Sequence, residues 1–360
     1  MLQEKIIASR IAGNFFLVAG PCSAENPAQL SSTANGLRSI PSLGLIRAGI
    51  WKPRTRPDSF EGVGNDALEW LKDIKEATGI PITVEVANKD HVEAALKASV
   101  DVLWIGARTT VNPFTVQEIA DAIKGYDVPV MIKNPVNPDL GLWIGAIERF
   151  EKNGVHDLVA VHRGFSQYGE TFYRNHPMWQ IPVGLMERRP DIPVLCDPSH
   201  IAGDRSKIPG IAQKALDLNM SGLMIESHFD PDNALSDKNQ QLSPEDLSKL
   251  IAALVLRSEA TESRDFQHEL SKLRYHIDQV DEELINLLSQ RMNIVSEIGN
   301  YKKAHDVTIL QLERWREILQ NARVNGERAQ LSLEFVNAMM EIIHQESIRI
   351  QTDIFNRPSS

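Results

Sequence analysis

The chain has 360 residues, 42% of them hydrophobic and 24% charged, with a formal net charge of −10. That apolar share supports a sizeable packed core and excludes global disorder, and the acidic balance excludes a nucleic-acid footprint over the whole surface while leaving room for a local basic pocket. Two cysteines, Cys22 and Cys196, are too few for a disulfide framework. The opening residues lack the charged, apolar and cleavage regions of a signal peptide, and no apolar run approaches a membrane span. A soluble, cytoplasmic protein of about two domains is therefore expected, with neither nucleic acid nor membrane as partner.

Two regimes of periodicity follow one another along the chain. Short Val- and Ile-rich runs at residues 15–19, 45–49, 82–86, 102–105, 129–132, 158–161, 192–195 and 222–225 alternate with helix-like patterns at 27–40, 65–78, 90–98, 115–124 and 207–218. Apolar runs without strict alternation are typical of parallel strands buried on both faces. Eight such units predict an α/β fold, a (β/α)8 TIM barrel over residues 1–257. Ser243 followed by Pro244 is a strong start for its last helix. No added regulatory domain is expected at the N-terminus of the barrel. The pattern Gly-Val-Gly-Asn-Asp-Ala at residues 62–67 matches a dinucleotide fingerprint, but it follows a Pro-rich loop rather than a strand and is set aside.

Residues 258–264 are polar and read as a linker. Beyond them Leu270, Leu273, Ile277, Val280, Leu284, Leu287, Val295 and Ile298 recur at steps of three and four, with one wider gap. They predict a helix over 265–304, about 60 Å long at the α-helical rise, with Gly299 as its only breaker. Helices over 311–324 and 331–355 complete an all-α three-helix domain, residues 265–360. So long an apolar stripe outruns the core that a domain of this size can build, so an intertwined homodimer is expected.

In such barrels functional groups sit at the C-terminal ends of the strands. Arg47, Lys52 and Arg54 fall at the end of the second strand, Arg108 at the fourth, Lys133 at the fifth and Arg163 at the sixth. One such cation is usually a solvated charge. Six around one rim of an acidic protein suit phosphate groups, with Arg binding them in bidentate fashion. Cys22, His200, Glu226 and Asp237 offer mixed S, N and O donors of the kind that hold a borderline divalent ion (Mn, Co, Fe or Zn). Their spacing is too wide for a local motif, and a lone Cys after a strand is more often a small buried hydrophobe, the reading kept for Cys196.

The strings AGPCSAE, RAGIWKPRTRPDSFEG, IGART, DPSHIAG and IESHFDPDNALSDKNQQL resemble 3-deoxy-D-arabino-heptulosonate 7-phosphate (DAHP) synthases of the shorter, barrel-only type, over about residues 10–255. The resemblance implies condensation of phosphoenolpyruvate with erythrose 4-phosphate, the entry step to chorismate and the aromatic amino acids. It implies Cys22, His200, Glu226 and Asp237 as metal ligands; Arg47, Lys52, Arg108, Lys133 and Arg163 around phosphoenolpyruvate; and Arg54 and Thr55 at the sugar phosphate. Lys52 is the favoured proton donor. Glu85, at the end of the third strand, is a candidate for handling water or else a structural partner of a rim cation. The sister barrels that make 3-deoxy-octulosonate 8-phosphate from arabinose 5-phosphate carry an Asn before the Arg of the second-strand loop. Here Lys52-Pro53-Arg54-Thr55 stands, which favours the four-carbon sugar.

Read from its residues alone, the helical tail is a dimerisation module. Arg291 and Lys302, however, lie on one helix face about 16 Å apart, a gap that two long side chains can close around a small dianion. Arg274 lies about 25 Å from Arg291 and can reach only a partner's pocket. The segment LRYHIDQVDEELINLLSQRMNIVSEIGNYKK, continuing to ESIRIQ, resembles the all-helical chorismate mutases over about residues 265–355. That implies a Claisen rearrangement of chorismate to prephenate, with Arg274, Arg291, Lys302, Arg314, Ser347 and Gln351 binding substrate and Lys302 and Gln351 stabilising charge on the ether oxygen. Many such mutases have Glu after the second-helix Arg and Asp three residues before it. Here Trp315 and Gln311 occupy those positions. Gln311 can bond a substrate hydroxyl; Trp315 cannot replace a carboxylate. A fused enzyme with feedback by prephenate or chorismate is the expectation. The alternatives are a helical ligand-sensing or dimerisation module without catalysis, and octulosonate specificity in the barrel.

Overall fold

The computed structural model describes residues 1–52, 60–169, 172–258 and 263–357. The chain divides into two compact units, Met1–Glu259 and Ala260–Ser360.

In the first unit the strands β1 (Phe16–Gly20), β2 (Leu43–Ala48), β3 (Ile82–Val86), β4 (Val102–Ile105), β5 (Val130–Lys133), β6 (Leu158–His162), β7 (Val194–Cys196) and β8 (Gly222–Glu226) close into a barrel in sequence order. Every neighbouring pair is parallel, and β8 returns to β1 with Gly20 opposite Glu226. Alternate residues of each strand serve different cores, which is why the runs carry no visible alternation. Phe16, Val18, Leu45, Trp104, Met131, Val159, Val161, Leu195 and Met224 fill the barrel interior. Leu17, Ala19, Ile46, Val84, Ile105 and Ile132 pack outward under the helices. As expected, the last helix of this unit, Pro244–Ala253, begins at Ser243, whose Oγ accepts the Asp246 N–H at 3.0 Å.

A helix before the first strand was not among the expected elements. Helix Leu2–Ile11 plugs the end of the barrel where the strands begin, its Leu2 and Ile6 joining the interior cluster. Asp157, just before β6, accepts the backbone N–H groups of Leu2 and Gln3. Only two of its residues are buried, so it has no stripe for periodicity to find.

The second unit has three helices, Arg264–Ala304, Leu312–Arg328 and Leu333–Asn356. Gln311 and Ser332, expected inside the second and third helices, are instead their N-caps. Gly299 does not break the long helix. A Cβ there would come within 3.0 Å of Ile354 and 3.1 Å of Gln351, so this glycine lets the first and third helices approach closely. The stripe along the first part of the long helix is uncovered: Leu273, Ile277, Val280, Leu284 and Leu287 are all exposed. No helix among the described residues is long and apolar enough to cross a membrane.

Candidate active site

Five strands run one residue past their expected ends, to Gly20, Lys133, His162, Cys196 and Glu226, so the polar groups at those positions are held by the barrel itself. A cavity of about 390 Å³ opens there and brings together Lys52, Glu85, Arg108, Lys133, Arg163, His200 and Asp237. Arg54 and Thr55 lie outside the described residues.

Beside Lys133, over the same Trp104 ring, lies Arg47, which does not itself line the cavity. It is 1% exposed, its Nη2 lies 3.1 Å from Glu226 Oε1, and its guanidinium sits 5.0 Å from the centroid of Trp104. Its Nε and Nη1 are buried with no hydrogen-bond partner among the described residues. Such unmet donors are costly to bury. Arg163 donates to Asn175 Oδ1 at 2.7 Å, and burial pushes its guanidinium down to about 10, still charged at neutral pH. Burial lowers the Lys133 ammonium, opposed by Asp197 Oδ2 at 2.7 Å. Glu85 stands against Gly106, where a Cβ would meet its Oε1 at 2.0 Å, so only glycine leaves this carboxylate room.

Asp197 organises the far side. Burial opposes its ionisation, but His200 and Lys133 hold the carboxyl well below the usual range. Its Oδ2 lies 2.8 Å from His200 Nδ1, which turns Nε2 toward Glu226 Oε1 at 3.8 Å. Burial lowers the pKa of this imidazole, opposed by Asp197. Carboxylate–histidine pairs of this form commonly orient a metal-binding ring.

Of the proposed metal ligands, Cys22 donates from Sγ to Asp237 Oδ2 at 3.1 Å and accepts from Lys52 Nζ at 3.4 Å. Burial, with Glu226 nearby, pushes its thiol up to about 12. Asp237 is held in the left-handed region at φ 46°, a strained position for a non-glycine residue. The four side chains approach in pairs, each carboxylate also answered by a cation: Arg47 for Glu226, and Arg174 for Asp237 at 2.9 Å. Among the described residues no three His, Cys, Asp or Glu side chains are drawn up as a coordination cage. The donor set fits a borderline divalent ion in its chemistry, and the thiol is the group that such an ion would have to deprotonate.

Sequence reasoning passed over Arg174, Asn175 and Gln240. Arg174 Nη1 donates to Gln240 Oε1 at 2.6 Å as well as to Asp237, and Gln240 Nε2 donates to Glu226 Oε2 at 2.7 Å. The one available signal was the polar pair Arg174-Asn175 within the loop after β6.

The helical unit holds its own cavity of about 410 Å³, lined by the expected Arg291, Lys302, Arg314, Ser347 and Gln351, with Gln311, Trp315 and His344. Arg291 Nη1 donates to Ser347 Oγ at 2.7 Å. Burial lowers both Arg291 and Lys302. The Gln351 side-chain oxygen is buried without a partner among the described residues. Arg274 is exposed and does not line this cavity.

A family model described as "DAHP synthetase I family" matches residues 5–262, and one described as "Chorismate mutase type II" matches residues 273–352. A phospho-2-dehydro-3-deoxyheptonate aldolase from Thermotoga maritima is 27% identical over 239 residues, 66% of this chain and 68% of its own length. A 2-dehydro-3-deoxyphosphooctonate aldolase from Aromatoleum aromaticum is 30% identical over 244 residues, 62% of this chain and 83% of its own. A crystal structure of the Thermotoga maritima DAHP synthase aligns with a TM-score of 0.61 at 28% identity, covering 67% of this chain and 68% of that one.

Proposed function

The chain belongs to the DAHP synthetase I family and carries a chorismate mutase type II domain, and from that premise we propose that its barrel condenses phosphoenolpyruvate specifically with erythrose 4-phosphate while its helical domain rearranges chorismate to prephenate. Both activities belong to the shikimate pathway, which feeds aromatic amino acid biosynthesis. The observation that carries the barrel assignment is the set of cations lining the cavity, Arg108, Lys133 and Arg163, with the buried Arg47, two of whose nitrogens lack partners among the described residues, next to Lys133 over the Trp104 ring. These cations hold the carboxylate and phosphate of phosphoenolpyruvate, and Lys52 reaches the same mouth.

Cys22, His200, Glu226 and Asp237 would hold the divalent ion, which when bound polarises the aldehyde carbonyl. The enol carbon of phosphoenolpyruvate attacks the aldehyde, and Lys52 gives its proton to the aldehyde oxygen. Water adds at the resulting cationic carbon, with Glu85 as the group that takes its proton, and phosphate leaves. Arg54 and Thr55 would hold the sugar phosphate. The Lys52-Pro53-Arg54-Thr55 loop favours the four-carbon sugar, and the names of the relatives include both heptonate and octonate aldolases. Product mass with erythrose 4-phosphate and with arabinose 5-phosphate decides: a seven-carbon product is expected, and an eight-carbon product alone would reverse the assignment.

In the helical cavity Arg291 and Arg314 face the two carboxylates of chorismate, with Ser347 beside them. Lys302 and Gln351 lie where the ether oxygen gains charge. The exposed stripe from Leu273 to Leu287 has the 3-4 spacing of a coiled-coil seam. It supports a homodimer in which Arg274 of the partner subunit completes the pocket. Sedimentation at twice the mass of one chain is expected, and at a single mass for Ile277→Glu with Leu284→Glu. A monomeric wild type would contradict this. Prephenate bound here would inhibit the barrel through differential affinity for two conformations. Free Cys22 and Cys196 suit a reducing cytoplasm.

A further inference from the structure

The helical cavity has three cations, Arg291, Lys302 and Arg314, and no Asp or Glu among its described lining residues. If the pocket takes chorismate, as proposed above, three cations answer two carboxylates and an ether oxygen. The ring hydroxyl then has no carboxylate to receive it, because Trp315 stands where many of these mutases carry Glu. Trp315 is instead stacked on His344, with ring centroids 3.8 Å apart and planes 10° from parallel. His344 lies one turn before Ser347 and two turns before Gln351 on the third helix, so all three open on one cavity.

We propose that His344, held flat against Trp315, is the residue that recognises the ring hydroxyl of the bound dicarboxylate. With one face covered by the indole, the imidazole can form hydrogen bonds only through its edge. Neither of its nitrogens has a partner among the described residues. Burial, reinforced by the neighbouring Arg291 guanidinium, keeps the ring neutral, with one nitrogen to accept and one to donate. A neutral acceptor receives a hydroxyl without neutralising any of the three cations, as a carboxylate would. The indole supplies the orientation that a carboxylate on the second helix would otherwise provide. His344 is in this sense a specificity-determining residue, and Trp315 positions it.

The test uses the full-length protein with chorismate and its 4-deoxy analogue, which removes the hydroxyl without adding bulk. Wild type is expected to bind chorismate at least about tenfold more tightly than the analogue. His344→Phe keeps an aromatic ring against Trp315 but has no nitrogen, and is expected to bring that ratio close to one at an unchanged Tm. Its loss falls mainly on KM rather than kcat. His344→Gln is expected to restore part of the ratio; if the Phe variant unfolds, His344→Ala takes its place in the comparison. A wild type that does not discriminate, a His344→Phe that still does, or a ratio lost instead in Gln311→Leu would overturn the proposal. A wild type that neither binds nor rearranges chorismate would refute the mutase reading itself, and the inference with it.

Discussion

In Arg47→Met, the chelator-treated protein is expected to lose about 3–5 kcal/mol of unfolding free energy, because Glu226 is left as a buried charge without its cation. Both side chains of this pair are at most 1% exposed. Methionine keeps the volume and the contact with Trp104 but returns no charge. Among the described residues Glu226 retains Gln240 Nε2 at 2.7 Å and the more distant His200. The double variant Arg47→Met with Glu226→Leu is expected to recover most of the loss, since replacing a buried pair by apolar groups is often close to neutral. Denaturant titration of the three proteins checks both statements. A single variant within about 1 kcal/mol of wild type would mean that Arg47 does not balance Glu226. Phosphoenolpyruvate turnover should fall at least about 100-fold, because the same guanidinium carries donors without partners among the described residues, next to the cavity cation Lys133.

Asp197→Asn is the second large change. One carboxylate holds the Lys133 ammonium at 2.7 Å and the His200 ring at 2.8 Å. The amide is nearly the same shape and carries no charge, so the buried Lys133 loses its ion-pair partner, and the ring loses the partner that fixes its tautomer. Metal affinity is expected to fall about 10–100-fold, as for other lost outer-shell partners of a ligating histidine. The KM for phosphoenolpyruvate is expected to rise through Lys133. Isothermal titration with Mn²⁺ and steady-state kinetics separate the two effects. Unchanged metal affinity would mean that His200 needs no orienting group.

The barrel was legible because eight apolar runs buried on both faces stand out between helical patterns, and because the rim residues fall at predictable strand ends. The last residue of five strands was not, since Lys133, His162 or Glu226 looks like the start of a loop until the barrel is seen to bury it. Arg174 and Gln240 were missed for a related reason: they act on the site by bonding Asp237 and Glu226, and a chain of side-chain hydrogen bonds leaves no periodic trace. Helix Leu2–Ile11 buries too little to show a stripe. In the helical unit Arg291 and Lys302 were legible from helical spacing, and Arg314 only through the family resemblance. The stack of Trp315 on His344 joins two helices and was visible only in three dimensions.

The central claim is that one chain runs the first step of the pathway in a metal-dependent barrel and senses a later product through its helices. Phosphoenolpyruvate consumption with erythrose 4-phosphate, measured on full-length protein that is chelator-treated or Mn²⁺-replete, with and without prephenate, tests it most directly. The expected result is consumption that needs the metal and is suppressed by prephenate. Consumption indifferent to both, or none with any of Mn²⁺, Co²⁺, Fe²⁺ and Zn²⁺, would contradict it.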